Sequence, residues 1–123
     1  MSPNWTFIGA VFGGLAVVAG AFGAHALKAH LSPEALGWWQ TGAQYHVVHA
    51  VAIVLTGLFA PRGRPRAIAL AGLAFTSGIV LFSGSLYALA LTDVRWLAAV
   101  TPVGGLLLLV GWIALAASAV DRT

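Results

Sequence analysis

Residues 5–26 read WTFIGAVFGGLAVVAGAFGAHA, a run without Asp, Glu, Lys or Arg. At about 1.5 Å per residue a helix of this length crosses a hydrocarbon core of about 30 Å. A soluble helix keeps one polar face, whereas this stretch is apolar all round, as a helix surrounded by lipid must be. The pattern recurs three times, at about 39–60, 67–91 and 102–120, with short polar breaks between. Hydrophobic residues make up 60% of the 123 positions, charged residues only 7%, and mean hydropathy is +0.95. So few ionised side chains cannot cover a soluble domain. Inside lipid every backbone N–H and C=O must be bonded within its own segment, and the period-two alternation of a barrel strand is missing. The sequence therefore predicts an all-α integral membrane four-helix bundle, a single transmembrane domain over residues 1–123 with four transmembrane helices.

The breaks carry helix punctuation. Ser32-Pro33-Glu34 reads as N-cap, first helical residue and a carboxylate at the positive end of the dipole, so the second helix can begin at Pro33 with Trp38 and Trp39 at the interface. Thr101-Pro102 repeats the signal for the fourth helix. Residues 92–100 then form an interfacial connector carrying Trp96, and 61–66 (PRGRPR) a rigid basic turn. Arg62, Arg64 and Arg66 place that turn in the cytoplasm, which puts both termini inside; Arg122 agrees, leaving four basic side chains inside against Lys28 and Arg95 outside. This role accounts for the pI near 10.2, and no extended basic surface suits nucleic acid. Ala24-His25-Ala26 looks like a signal-peptidase site, but the first residues lack Lys and Arg and the apolar run is too long, so cleavage is not expected. The absence of cysteine removes disulfides, thiolate chemistry and thiolate-held metals.

Small residues recur four apart in the first span: Gly9 and Gly13, then Ala10/Gly14, Ala16/Gly20 and Ala19/Gly23. Such spacing lets helix backbones approach closely, so this helix is expected to be the most intimately packed, through Gly9, Gly13, Gly14, Gly20 and Gly23. A thin four-helix core further predicts self-association or membership of a larger membrane complex.

Polar residues within the spans are the main functional clue. His46 and His49, three apart, fall on one face of the second helix with Gly42, Ala50, Ile53 and Gly57, and His49 lies near the midplane. His25, Gln44, Tyr45, Ser83, Ser85, Tyr87 and Thr101 gather in the outer halves, while the inner halves are almost wholly apolar. This asymmetry points to an outward-facing polar pocket with His49 at its floor, able to bind a small molecule, a proton or a metal ion. The plainer reading is that these groups bond one another and fix the packing. Three histidines without a carboxylate make a poor metal set, and two on one helix cannot grip a haem from opposite faces. No GxSxG, HExxH or phosphate-cradling loop is present, and no nucleophile has a partner. An enzyme is not expected, nor is any cofactor.

Residues 20–28 (GAFGAHALK), 41–45 (TGAQY) followed by His49, 81–87 (LFSGSLY) and 101–105 (TPVGG) with Gly111-Trp112 resemble the domain-of-unknown-function family 423. These are small four-helix bacterial membrane proteins related to the eukaryotic transmembrane protein 256. The resemblance covers nearly the whole chain and implies four spans, a bacterial inner-membrane location and no established activity. His25, Gln44, Tyr45, His49, Ser83, Ser85, Tyr87, Thr101 and Pro102 lie in its motifs; His46 departs from them. The leading expectation is a structural or accessory membrane subunit. The alternative is binding or transport through the outer pocket.

Overall fold

The structure, a computed structural model, describes residues 3–120; Arg122, one of the basic residues read as inner, lies outside the described residues. Helix α1 spans Trp5–Phe22 and continues as a π-helical turn, Gly23–Leu27. Helix α2 covers Pro33–Phe59, a 3₁₀ turn follows at Ala60–Arg62, and α3 covers Pro65–Thr92. A second 3₁₀ turn, Arg95–Ala99, leads into α4, Thr101–Ala119. All four helices are long and apolar enough to cross a membrane.

Local chemistry sets most of these boundaries. The Asn4 side chain accepts from the Phe7 N–H at 3.0 Å, and Ser32 Oγ accepts from the Ala35 N–H at 3.1 Å with Pro33 opening α2. Helix α3 stops at Asp93, whose φ of 57° is left-handed and whose N–H returns to the Leu89 carbonyl at 2.8 Å. The expected Thr101 cap is not formed. The 3₁₀ turn runs straight into α4 through Val100, which is already α-conformed, so no extended residue is available to act as a capping position. Thr101 is instead the first helical residue. The π turn begins where the Ala19 carbonyl accepts both the Gly23 N–H and, at 2.8 Å, the Trp39 indole N–H.

The helices run alternately up and down. At one end Thr6 of α1 lies against Gly57 of α2, Trp5 against Gly72 of α3, and the Arg64 N–H donates to the Ser118 carbonyl at 3.3 Å. This end carries the basic turn. At the opposite end Arg95 pairs with Glu34 at 3.3 Å and Asp93 at 2.9 Å, and lies 5.1 Å from the Trp38 ring centroid. These charges are mostly exposed, so each pair stabilises by no more than about 1 kcal/mol.

The extensive interfaces join consecutive helices, which leaves α2 and α3 central, α1 against α2 and α4 against α3. The first helix is therefore not the most intimately packed. Only 17% of its most apolar window is buried, against 44% for α3, because α1 offers one stripe to one main neighbour while α3 is held on two faces. Of the glycines singled out in α1, Gly9 makes the close approach: a Cβ there would lie 2.6 Å from the Val54 amide nitrogen and 3.0 Å from the Ala50 carbonyl. Gly23 is filled by the Trp39 indole, and Gly13 faces Ala50 at an ordinary 3.9 Å. Gly14 and Gly20 face outward with nothing nearby, a departure from the expected packing role. The tightest crossing is between α3 and α4, where a Cβ on Gly104 would run into the backbone of Leu81 and Phe82. Spacing alone reports that a small residue is present, not which side of its helix finds a neighbour.

Candidate functional site

His46 and His49 are both buried, but they do not share a pocket. A separation of three on a helix turns one about 60° from the other, and at this crowded midpoint that rotation is enough to send them to different neighbours. His49 looks toward α4, His46 toward α1 and the end of α3.

Both ring nitrogens of His49 are bonded. Nδ1 lies 2.7 Å from the Tyr45 carbonyl, one turn back on α2. A carbonyl only accepts, so Nδ1 carries the proton. Nε2 is then the bare acceptor, and it receives the indole N–H of Trp112 at 2.9 Å. Aromatic rings close around this pair. Phe75 lies 5.1 Å from Trp112 and 5.9 Å from His49, and Tyr45 stacks parallel to His49 at 5.9 Å while resting on Phe82 at 4.6 Å. A neutral imidazole with one proton and one lone pair has no further capacity. A metal ion or an added proton at Nε2 would have to expel the tryptophan.

His46 is held differently. Its Nδ1 meets the Tyr87 hydroxyl at 2.9 Å, and Tyr87 lies in turn 4.4 Å from the Trp39 ring. Nε2 is buried without a hydrogen-bond partner. The Phe12 backbone of α1 lies near the ring but closes no bond of regular geometry with that nitrogen.

The two serines join helices. Ser83 Oγ donates to the Gly42 carbonyl at 2.7 Å, tying α3 to α2, in the crossing where a Cβ on Gly42 would press on Tyr87 at 3.0 Å. Ser85 Oγ lies 2.6 Å from Thr101 Oγ1 and 2.9 Å from the Phe82 carbonyl. The carbonyl must accept from Ser85, so Thr101 donates to Ser85 and ties α4 to α3. We expect Ser83→Ala to cost about 0.6 kcal/mol, and no more than about 1.7, because the Gly42 carbonyl keeps its place in the α2 ladder. Unfolding of the purified variant in mixed micelles measures this.

Other members of the sequence-derived set lie apart. His25 is exposed on the π turn. Gln44 and Tyr45 are on the exposed side of α2, where with Val48 and His49 they line a shallow recess of about 270 Å³. His49 forms its inner wall, but the polar residues do not all converge on it. Among the described residues no three His, Asp or Glu side chains come within reach of one metal ion.

Trp112 is the participant that the sequence reading did not place in the site. A signal was available. Trp5, Trp38, Trp39 and Trp96 stand near helix ends, as interfacial tryptophans do, whereas Trp112 lies deep in an apolar span. An indole N–H at that depth needs an acceptor.

A family model described as "Protein of unknown function (DUF423)" matches residues 19–105. The chain belongs to the DUF423 family. Relatives named as UPF0382 membrane proteins match this DUF423 chain along most of both lengths. YwdK of Bacillus subtilis (strain 168) is 40% identical over 92% of this chain and 93% of its own. A Haemophilus influenzae relative is 40% identical over 94% and 93%. The UPF0382 inner membrane protein YgdD of Escherichia coli (strain K12) is 41% identical over 91% and 86%. No solved structure matches the fold. The DUF423 segment takes in every polar residue of the two clusters except Trp112. With four apolar helices and relatives so named, this DUF423 protein is a membrane protein.

Proposed function

We propose that the chain is a structural or accessory membrane subunit, not an enzyme, and that its polar groups lock the helices in register instead of handling a ligand. The reading rests above all on His49, whose two nitrogens are satisfied by Tyr45 and Trp112. The serine, threonine and tyrosine bonds support it, since each joins two helices or closes a turn. A histidine committed in this way fixes how α2 sits against α4, and gives up the lone pair that transport of protons or metal would use. Nitrogen-15 spectra of selectively labelled protein in bilayers are the test. A single neutral, Nδ1-protonated His49 that loses its Nε2 hydrogen-bond shift in Trp112→Phe is expected; an Nε2-protonated or metal-shifted ring would sink the proposal. Trp112→Phe should also lower stability by about 1 kcal/mol, between the mean of about 0.6 and the maximum of about 1.7 for intramembrane side-chain bonds, and above that mean because the His49 acceptor is left unpaired.

The arrangement of charge supports cytoplasmic termini, with Arg62, Arg64 and Arg66 on the inner side. Self-association through α1 is part of the same proposal. Ala10, Gly14 and Gly20 are exposed on its outer face, and Gly14 and Gly20 have no neighbour within the chain. The chain has no cysteine, so single-cysteine variants report cleanly. Gly14→Cys should form disulfide-linked dimers in native membranes under mild oxidation, and Leu109→Cys on the outward side of α4 should not. Equal yields from both would remove the α1 interface.

One observation favours binding as a second reading. The recess at Gln44, Tyr45 and Val48 is open to the surroundings, and Tyr45 is 44% exposed. A small amphiphile bound in it would be lost in Tyr45→Ala, while His49→Gln would leave binding nearly intact because His49 supplies only the inner wall.

A further inference from the structure

The basic turn and an apolar groove meet at the same end of the molecule. The groove runs between the last turns of α2 and α4, is lined by Leu55, Leu58, Phe59, Leu115 and Ala119, and holds about 390 Å³. The turn is strapped across its end. The Gly63 N–H donates to the Phe59 carbonyl at 3.1 Å and the Arg64 N–H to the Ser118 carbonyl at 3.3 Å, so residues 61–66 bridge the two helices that form the walls. Arg64 is engaged within the chain, while Arg62 and Arg66 on either side are exposed. A recess beside Pro65 and Ala67 opens next to Arg66. The described acidic residues, Glu34 and Asp93, both lie at the far end. Among the described residues this end thus carries Arg62, Arg64 and Arg66 and no acidic side chain.

We propose that this end seats one anionic phospholipid, with its phosphate on Arg62 and Arg66 and one acyl chain in the α2/α4 groove. An apolar groove in a bilayer is filled by some lipid chain in any case. The charge above it decides which lipid stays. Guanidinium groups match phosphate oxygens in a bidentate fork, and a basic side chain at the membrane surface is worth about 1 kcal/mol toward anionic lipid, or about fivefold each. A headgroup held by the turn places its own acyl chain directly over the groove, so the two contacts act on one molecule. Neither would select strongly alone.

Native mass spectrometry of the detergent-purified chain, titrated with equimolar phosphatidylglycerol and phosphatidylcholine, tests this. Wild type should retain phosphatidylglycerol about 30-fold better, taking two arginines at the surface together. Arg62→Gln with Arg66→Gln should reduce that preference to near unity. Ala119→Phe and Leu58→Trp fill the groove from exposed positions, and each should lower retention of both lipids at least tenfold with the melting temperature unchanged. Equal retention of the two lipids by wild type would overturn the proposal. So would retention of phosphatidylglycerol that survives both groove-filling variants, or its full displacement by inorganic phosphate at the same concentration, since either result would mean a charged surface with no chain-binding site.

Discussion

Gly104→Val is expected to be the most damaging single substitution in the chain, lowering stability by about 3 kcal/mol, the upper part of the range for overpacking a tight interior. A Cβ at residue 104 would overlap the Phe82 amide and the backbone of Leu81. Side chains can rotate out of the way, but a helix backbone cannot, so α4 would have to withdraw along its contact with α3. That contact is the largest in the molecule, and the Ser85–Thr101 bond lies one turn from it. In lipid there is little hydrophobic gain to offset the loss, because close packing itself drives helix association. Two controls isolate the cause. Gly105→Ala would bring a Cβ no nearer than 3.6 Å to the Phe82 ring, and a Cβ from Gly84→Ala would meet nothing within 4 Å. Thermal unfolding in detergent should show both near wild type. A Gly104→Val protein that melts together with Gly84→Ala would mean that the α3–α4 crossing is looser than described.

Phe75→Ala ranks second. Phe75 is fully buried and its ring supports the His49–Trp112 bond from below. In a soluble core such a truncation costs about 3–5 kcal/mol, partly lost transfer energy and partly the cavity. Here the transfer part shrinks, because a phenylalanine released into lipid is still in an apolar medium. The cavity part remains, so we expect about 2–3 kcal/mol. Trp112 should also become mobile, seen as reduced fluorescence anisotropy, while Phe75→Leu restores most of both readings by refilling the space. Unchanged anisotropy in Phe75→Ala would show that the indole is held by its hydrogen bond alone.

The difference between these two positions and those chosen from the sequence is instructive. Gly14 and Gly104 look alike in a list of small residues within apolar helices. Gly14 belongs to the more conspicuous four-residue pattern, yet it faces away from the bundle. Trp112 and His49 are 63 positions apart, and no local pattern relates them. His46 and His49, neighbours in the sequence and on one helical wheel, meet different partners: Tyr87 of α3 for the first and Trp112 of α4 for the second. In a soluble protein the polar face of each helix would have shown which side looks inward. In these helices both sides are apolar, and that signal is absent.

The sequence by itself determined everything that depends on the lipid environment and on local backbone chemistry. Length and apolarity dictated four helices, with Ser32-Pro33 starting the second; the basic residues of 61–66 gathered at one end; and the lack of cysteine removed whole classes of chemistry. Tertiary structure alone decided which glycines allow helices to touch, why Thr101 bonds Ser85 instead of capping α4, and how His49 spends both of its nitrogens. The physical reason is a difference in range. Transfer into lipid and helix closure are decided within a single segment, whereas van der Waals fit and a buried hydrogen bond need two surfaces, and the second surface belongs to another part of the chain.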